Sequence, residues 1–192
     1  MPNERREPRF GLERGRVFPA AHARSLLSPA RRLVQSPRRT VAAIGLAPGS
    51  RVLELGSGPG FFSPQVARAA QAGHVVLLDL QVEMLRLARG RLHDQMRVGY
   101  LQADGSALPL AGERFDAVFI ATVLGEVPDP AACLAEVRRV LRPGGVLAIA
   151  ETRRDSDFIS LPRLRELVEP IGFALVARRG IRWQFVARFR RA

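Results

Sequence analysis

Residues 52–60 read Val-Leu-Glu-Leu-Gly-Ser-Gly-Pro-Gly, and this stretch limits the fold more than any other. Val52, Leu53 and Leu55 form a short apolar run of strand type. Gly56, Gly58 and Gly60 then turn the chain at alternate positions. After Gly60 the period becomes helical, with Phe62, Val66 and Ala70 spaced by four. Strand, glycine-rich turn and helix in that order hold a nucleotide-like ligand at the carboxyl end of a parallel strand. Glycine takes backbone angles there that other residues adopt only at a cost, and it lets the backbone approach the ligand.

The remaining chain alternates in type. Residues 1–19 hold Pro2, Pro8, Pro19, Gly11 and Gly15 among arginines and read as extended or disordered. Residues 20–35 lean helical, with an interruption at Pro29. Ser36-Pro37 starts a helix that ends at Gly45, with serine as cap and proline in the first turn. Strands are expected at 51–55, 74–79, 97–102, 115–121 and 146–150. Helices are expected at 61–72, 81–93, 131–141 and 160–169. Two strand-like runs, 172–177 and 183–189, close the chain around Gly180. The pattern predicts an α/β fold, a doubly wound sheet with helices on both faces. The last two strands lack room for a crossover helix, so they predict an antiparallel hairpin near Arg178–Arg182 at one sheet edge. Residues 1–45 are read as a basic N-terminal extension with lid helices, and 46–192 as the main domain.

A length of 192 residues with 47% apolar composition suits one domain with a real core. No apolar run is long enough to span a bilayer, and the first residues lack the order of a signal peptide. A single cysteine, Cys133, excludes an internal disulfide and suits a reducing, cytoplasmic setting; its predicted helix makes it a buried apolar residue. All 30 basic residues are arginine, and the net charge is +12. Residues 1–40 hold 10 Arg against 3 Glu, and residues 178–192 hold 6 Arg and no acid, while the middle is close to neutral. Basic ends can meet nucleic acid, a membrane surface or an anionic small molecule; they can also be solubilising tails.

Two cofactor readings separate on detail. A dinucleotide fingerprint wants a small residue where Phe61 stands, and it has no use for Glu54. The string Glu54-x-Gly56-x-Gly58-x-Gly60 instead resembles the first motif of the class I S-adenosylmethionine (SAM)-dependent methyltransferases. Leu78-Asp-Leu-Gln-Val-Glu-Met-Leu85 looks like the second motif of that family. Asp104-Gly105-Ser106-Ala107 and Leu141-Arg-Pro-Gly-Gly145 match later ones. The resemblance covers about residues 50–150. It implies a Rossmann-like mixed sheet with a late antiparallel hairpin, and SAM as cofactor. Asp79 would accept hydrogen bonds from the ribose hydroxyls, Leu80 and Met84 would touch adenine or ribose, and Asp104 would meet the adenine amine, with Gly105 and Ser106 along the ring edge. Glu54, Ser57 and the loop amides would serve the methionine end. Ala121 and the exit of the fourth strand would face the transferred methyl.

That exit, Thr122-Val-Leu-Gly-Glu-Val-Pro-Asp129, has neither the Asn/Asp-Pro-Pro-aromatic string of DNA amine methyltransferases nor the Pro-Cys pair used on pyrimidines. It resembles the exit of small-molecule enzymes, including those of ubiquinone and menaquinone pathways, although Gly125-Glu126 replaces the common histidines. The resemblance therefore implies methyl transfer to a small molecule. Glu126 is the first candidate base and His22 the second. Arg24, Arg31 and Arg32 could meet an anionic acceptor from the lid. Three alternatives stand beside this reading. The acceptor could be an anionic macromolecule or lipid headgroup such as RNA or phospholipid, the chain could bind SAM without catalysis, or it could be a nicotinamide dehydrogenase, which Phe61 disfavours. No His/Cys pairing at ligand spacing suggests a metal.

Overall fold

Near-continuous apolar runs at the strand positions allow strands to be covered on both faces, and the computed structural model shows the sheet they form. It describes residues 18–95 and 97–192, so the extended reading of residues 1–17 lies outside the described residues. Seven strands make one mixed sheet: β1 (Arg51–Leu55), β2 (His74–Asp79), β3 (Val98–Gln102), β4 (Phe115–Ala121), β5 (Leu141–Thr152), β6 (Phe173–Ile181) and β7 (Gln184–Arg191). The spatial order is β3-β2-β1-β4-β5-β7-β6. The first five strands are parallel, and β7 runs antiparallel between β5 and β6. This is the expected doubly wound sheet, and the late hairpin forms its edge.

The helices are α1 (Pro29–Val34), α2 (Pro37–Ile44), α3 (Ser63–Ala70), α4 (Val82–Arg91), α5 (Pro130–Val140) and α6 (Leu161–Val168). A 3-10 segment, Ala20–Leu27, precedes α1, and Pro29 at the first position of α1 keeps Ser28 out of the helical region and so breaks the two apart. Three helix starts carry side-chain caps: Ser36, Asp129 and Ser160 each accept from the backbone amide three residues on.

Alternate strand residues face two cores. Leu53, Val118, Ile120, Leu147 and Ile149 pack with Leu134 and Val137 of α5 and Leu164 of α6. Val52, Leu77, Phe119 and Ala148 pack with Val41 and Ile44 of α2, Val66 of α3 and Leu85 of α4. Helix α2 thus belongs to the core although it precedes residue 45. Cys133 is buried in the first core, and burial pushes its thiol up to about 12, so it behaves as a small apolar residue. No helix among the described residues is long and apolar enough to cross a membrane.

Phe119 is fully buried and meets Phe62 edge to face at 5.5 Å; Phe62 meets Phe61 in the same way at 4.9 Å. Replacing Phe119 with alanine should lower unfolding free energy by about 3–5 kcal/mol in chemical denaturation. Trp183→Ala, at an exposed turn, should change it by less than about 0.5 kcal/mol.

Candidate functional site

Parallel strands that end together leave their loops at one edge, and here the exits of β1, β2, β3, β4 and β5 surround one cleft of about 750 Å³. Its floor is the glycine turn. Gly56, Gly58 and Gly60 all take left-handed backbone angles. A Cβ at Gly56 would collide with the Val123 side chain at the β4 exit, so glycine lets the two exits meet. Gly56 and Ser57 donate their backbone N–H groups to Leu78 O, at 2.8 and 3.0 Å. Ser57 is buried, lines the cleft, and its hydroxyl has no protein partner.

Asp79 ends β2 beside this turn. One carboxylate oxygen accepts from Gly58 N at 2.8 Å, and the other accepts from Gln81 N at 2.9 Å. Burial raises its pKa, and the backbone amides of Gln81, Gly58 and Leu80 offset this in part. Leu80 stays 49% exposed at the cleft wall while Met84 is buried behind it. Ala103, Asp104 and Gly105 continue the lining from the exit of β3, and Ala103 N donates to Asp79 O at 3.2 Å. Asp104 Oδ1 accepts from Ser106 N at 2.8 Å, and Ser106 itself stands outside the lining.

Glu54 and Gly60 also lie outside the lining. Gly60 sits over the backbone of Ala88 in α4, where a Cβ would come within 3.2 Å. Glu54 pairs across the sheet with Leu77 and Phe119, beneath the turn. It is 3% exposed, and burial pushes it up to about 8. Ser63 stands close enough to offset this in part, yet neither Glu54 Oε2 nor Ser63 Oγ completes a hydrogen bond.

The β4 exit forms the far end of the cleft, with Ala121, Thr122, Val123 and Glu126 in its lining. Thr122 has a φ of 52°, a strained angle for a β-branched residue. Gly125 packs on the backbone carbonyl of Asp157, which leaves no room for any side chain at that position. Glu126 is pushed up to about 7, chiefly by burial, and Asp155, Asp157 and Asp79 push the same way. Glu151, at the end of β5, is likewise raised to about 8 by burial, with Asp155 and Asp157 adding to it. Sequence reasoning passed over Glu151, although an acid closing an apolar strand is the signal that singled out Asp79.

A lid completes the site. Phe18 N donates to Glu126 Oε2 at 3.1 Å. The Gln81 side-chain amide works in both directions, accepting from Ala20 N at 3.0 Å and donating to Phe18 O at 2.7 Å. Arg31 of α1 lines the cleft and lies over the Phe61 ring at 4.4 Å, donating to Leu26 O and Gln35 Oε1. Arg24, Arg32 and His22 are exposed and outside the lining. Gln81 and Phe18 were not legible as site residues, because their bonds span more than 60 residues and follow no period.

Gln81→Leu removes both lid bonds while keeping the backbone amide that Asp79 uses. Amide exchange at Ala20 should then rise on the order of tenfold or more, given about 1 kcal/mol per bond. Exchange in β4 should not change, and hydrogen-exchange mass spectrometry reads both.

Comparison with known proteins agrees with this geometry. The family described as "Methyltransferase domain" matches residues 53–149. The ubiquinone/menaquinone biosynthesis C-methyltransferase UbiE of Vibrio vulnificus is 35% identical over 146 residues, 68% of this chain and 56% of that protein. The chain therefore spans little more than half the length of that relative. A SAM-dependent methyltransferase of Aquifex aeolicus superposes with a TM-score of 0.84 at 23% identity, over 92% of this chain and all of that one. The [4+2]-cyclase SpnF superposes at 0.71 with 17% identity, over 81% and 79%. At such identities the likeness concerns the fold, and SpnF illustrates that the fold alone does not fix the reaction. On the family match and its four ordered motifs, the chain belongs to the class I SAM-dependent methyltransferases.

Proposed function

We propose that this protein transfers the methyl group of SAM to a small, largely apolar acceptor held beneath the Phe18–Gln35 lid. The observation that carries this reading is the continuity of the cleft, which joins the glycine turn and Asp79 to the β4 exit. Its volume lies in the upper part of the roughly 300–1,000 Å³ of ligand pockets, enough for a cofactor and a second small molecule.

Family and fold imply SAM, and the residues present suit it. The buried Ser57 hydroxyl lacks a protein partner, the glycine turn leaves its cradle without side chains, and Leu80 offers an apolar wall beside the Asp79 carboxylate. When bound, SAM supplies a methyl carbon on positively charged sulfur, which needs no acid to depart. The chain aligns the acceptor and excludes water. Arg31, Phe61 and the lid close the cleft from above. Glu126 is held at its Oε2 by Phe18 N and sits near half-ionisation at neutral pH, so it can take a proton from an acceptor hydroxyl. His22 stands outside the cleft, which leaves that role to Glu126.

The name of the UbiE relatives supports a ring-carbon acceptor bearing a hydroxyl, since loss of that proton enriches the neighbouring carbon. Glu126, Asp155 and Asp157 line the acceptor end, set against Arg31 of the lid and Arg154 of the loop after β5. This balance favours a neutral acceptor over a strongly anionic one. Glu54, buried under the turn, acts in this reading through the loop rather than by direct contact, and Asp104, Gly105 and Ala121 flank the cofactor.

Calorimetric titration with SAM, S-adenosylhomocysteine and NADH tests the cofactor. Binding of the first two and its loss in Asp79→Ala is the expected outcome, and absence of binding to either would sink the reading. Binding without methyl transfer to hydroxylated aromatic acceptors would make the chain a SAM-binding protein instead.

The pH profile of turnover tests Glu126. Its pKa is raised and its ionised form is the base, so kcat/KM should fall as pH drops below about 7. Glu126→Gln should remove that limb and cost about 10²–10⁴ in rate. An unchanged profile in the variant would exclude Glu126 as the base.

A further inference from the structure

The sheet edge that carries the cleft also carries the tip of the β6–β7 hairpin. Thr152 pairs with Gln184, and Arg153 N donates to Trp183 O at 2.8 Å, so the turn sits at the carboxyl end of β5. Thr152, Arg154 and Asp155 at that same end line the cleft. The hairpin tip is therefore a neighbour of the cleft mouth.

Six consecutive residues of this tip, Arg178-Arg179-Gly180-Ile181-Arg182-Trp183, are all exposed. Ile181 and Trp183 expose 51% and 56% of their surface. Arg153 and Arg154 are exposed beside them, which gives five arginines, and residues 178–192 contain no acid. The tip is held in shape: Arg178 donates to Gly180 O at 2.9 Å and lies over the Phe185 ring at 5.6 Å. On the lid that borders the same cleft, Leu33 is 89% exposed next to exposed Arg32.

The indole and the isoleucine lie two residues apart on a tip flanked by arginines, and Leu33 is a further exposed apolar group on the lid segment whose neighbours Arg31 and Gln35 line the cleft. The combination suits the headgroup zone of a membrane. An indole rests at the boundary, aliphatic groups reach the acyl chains, and guanidinium groups meet lipid phosphates. RNA would stack on Trp183 but would leave Ile181 and Leu33 without gain.

We propose that the β6–β7 tip, together with Leu33 and Arg32 of the lid, docks on an anionic lipid bilayer and turns the cleft mouth towards it. The docking is independent of which acceptor is methylated, although it would give an apolar acceptor a short path into the cleft. It places the membrane contact in the folded edge of the domain rather than in the basic N-terminal residues.

Trp183 is the only tryptophan in the chain, so its fluorescence reports the contact directly. The full chain is mixed with phosphatidylcholine vesicles with and without phosphatidylglycerol. Co-sedimentation with the anionic vesicles and a blue shift of Trp183 emission, both weakened by salt, are expected. An R179Q/R182Q variant, which keeps Arg178 and its bond to Gly180 O, should partition on the order of twenty-five-fold less, since each arginine near an anionic surface contributes roughly fivefold. Ile181→Asp is a second variant that leaves the charge pattern of the arginines in place; it should abolish the blue shift. Circular dichroism and SAM titration without vesicles show that either variant is folded, and they separate failure of docking from failure of the cofactor reading.

Sedimentation without an emission change would overturn the hairpin as the contact. An emission shift with RNA but not vesicles, a shift that accompanies dimerisation without lipid, or no shift at all would overturn the proposal.

Discussion

The Asp79 carboxylate holds the site together. One oxygen fixes Gly58 in the glycine turn and the other fixes Gln81 at the start of α4. Charge-assisted bonds of this kind are among the stronger ones available to a fold. The side chain of Gln81 then reaches onwards to Phe18 and Ala20, so the turn, the helix start and the lid form one connected path. A second path runs through rings. Phe119 in the core supports Phe62, Phe62 supports Phe61, and Phe61 carries the Arg31 guanidinium. The lid is therefore anchored both by backbone hydrogen bonds and by an aromatic column rising from β4.

Carboxylates gather at this edge against their own electrostatics. Glu54, Asp79, Glu126, Glu151 and Asp155 are all raised above their ordinary range, with burial the largest cause in each case. A raised carboxyl favours the folded state only while protonated, so its contribution is fully present below its unfolded pKa and is lost as pH rises through the folded value. For Glu54 and Glu151 that window runs from about 4.5 to about 8. Such a cluster is unfavourable for stability alone. It becomes reasonable in a site that receives a cationic cofactor, where the positive charge offsets repulsion the fold cannot relieve by itself.

Much of this was readable from residues, for local reasons. Strands β2 and β4 begin and end where their apolar runs do, and Asp79 stands out as an acid closing such a run. Helix ends shifted by a residue or two, mostly inward, while α5 starts one residue earlier than expected, at Pro130, where the Asp129 cap sets it. Strand β5 begins earlier than its apolar run because Leu141 pairs with Phe115 before the chain bulges through residues 142–145, and Val146 resumes with Ala117. Strand β6 runs on through Arg178 and Arg179 because pairing with β7 continues after the apolar pattern stops. The lid bonds stayed hidden. They join a side chain to backbone groups far away in sequence, and composition carries no trace of them.

The departure from the family's β4 exit has a structural cause. The common histidines of that string are replaced by Gly125-Glu126, and Gly125 packs against the Asp157 carbonyl with no space for a side chain. A histidine there would have to displace the Arg153–Asp157 loop, which also supplies Arg154, Asp155 and Asp157 to the cleft. The β4 exit and the loop after β5 therefore pack directly on each other at Gly125 and Asp157. In the proposed reading the Glu126 carboxylate stands beside the acceptor, and Asp155 and Asp157 from that same loop add to the rise that burial causes in it. Acceptor choice in that reading follows from this pair of loops, while the glycine turn, Asp79 and Asp104 serve the cofactor.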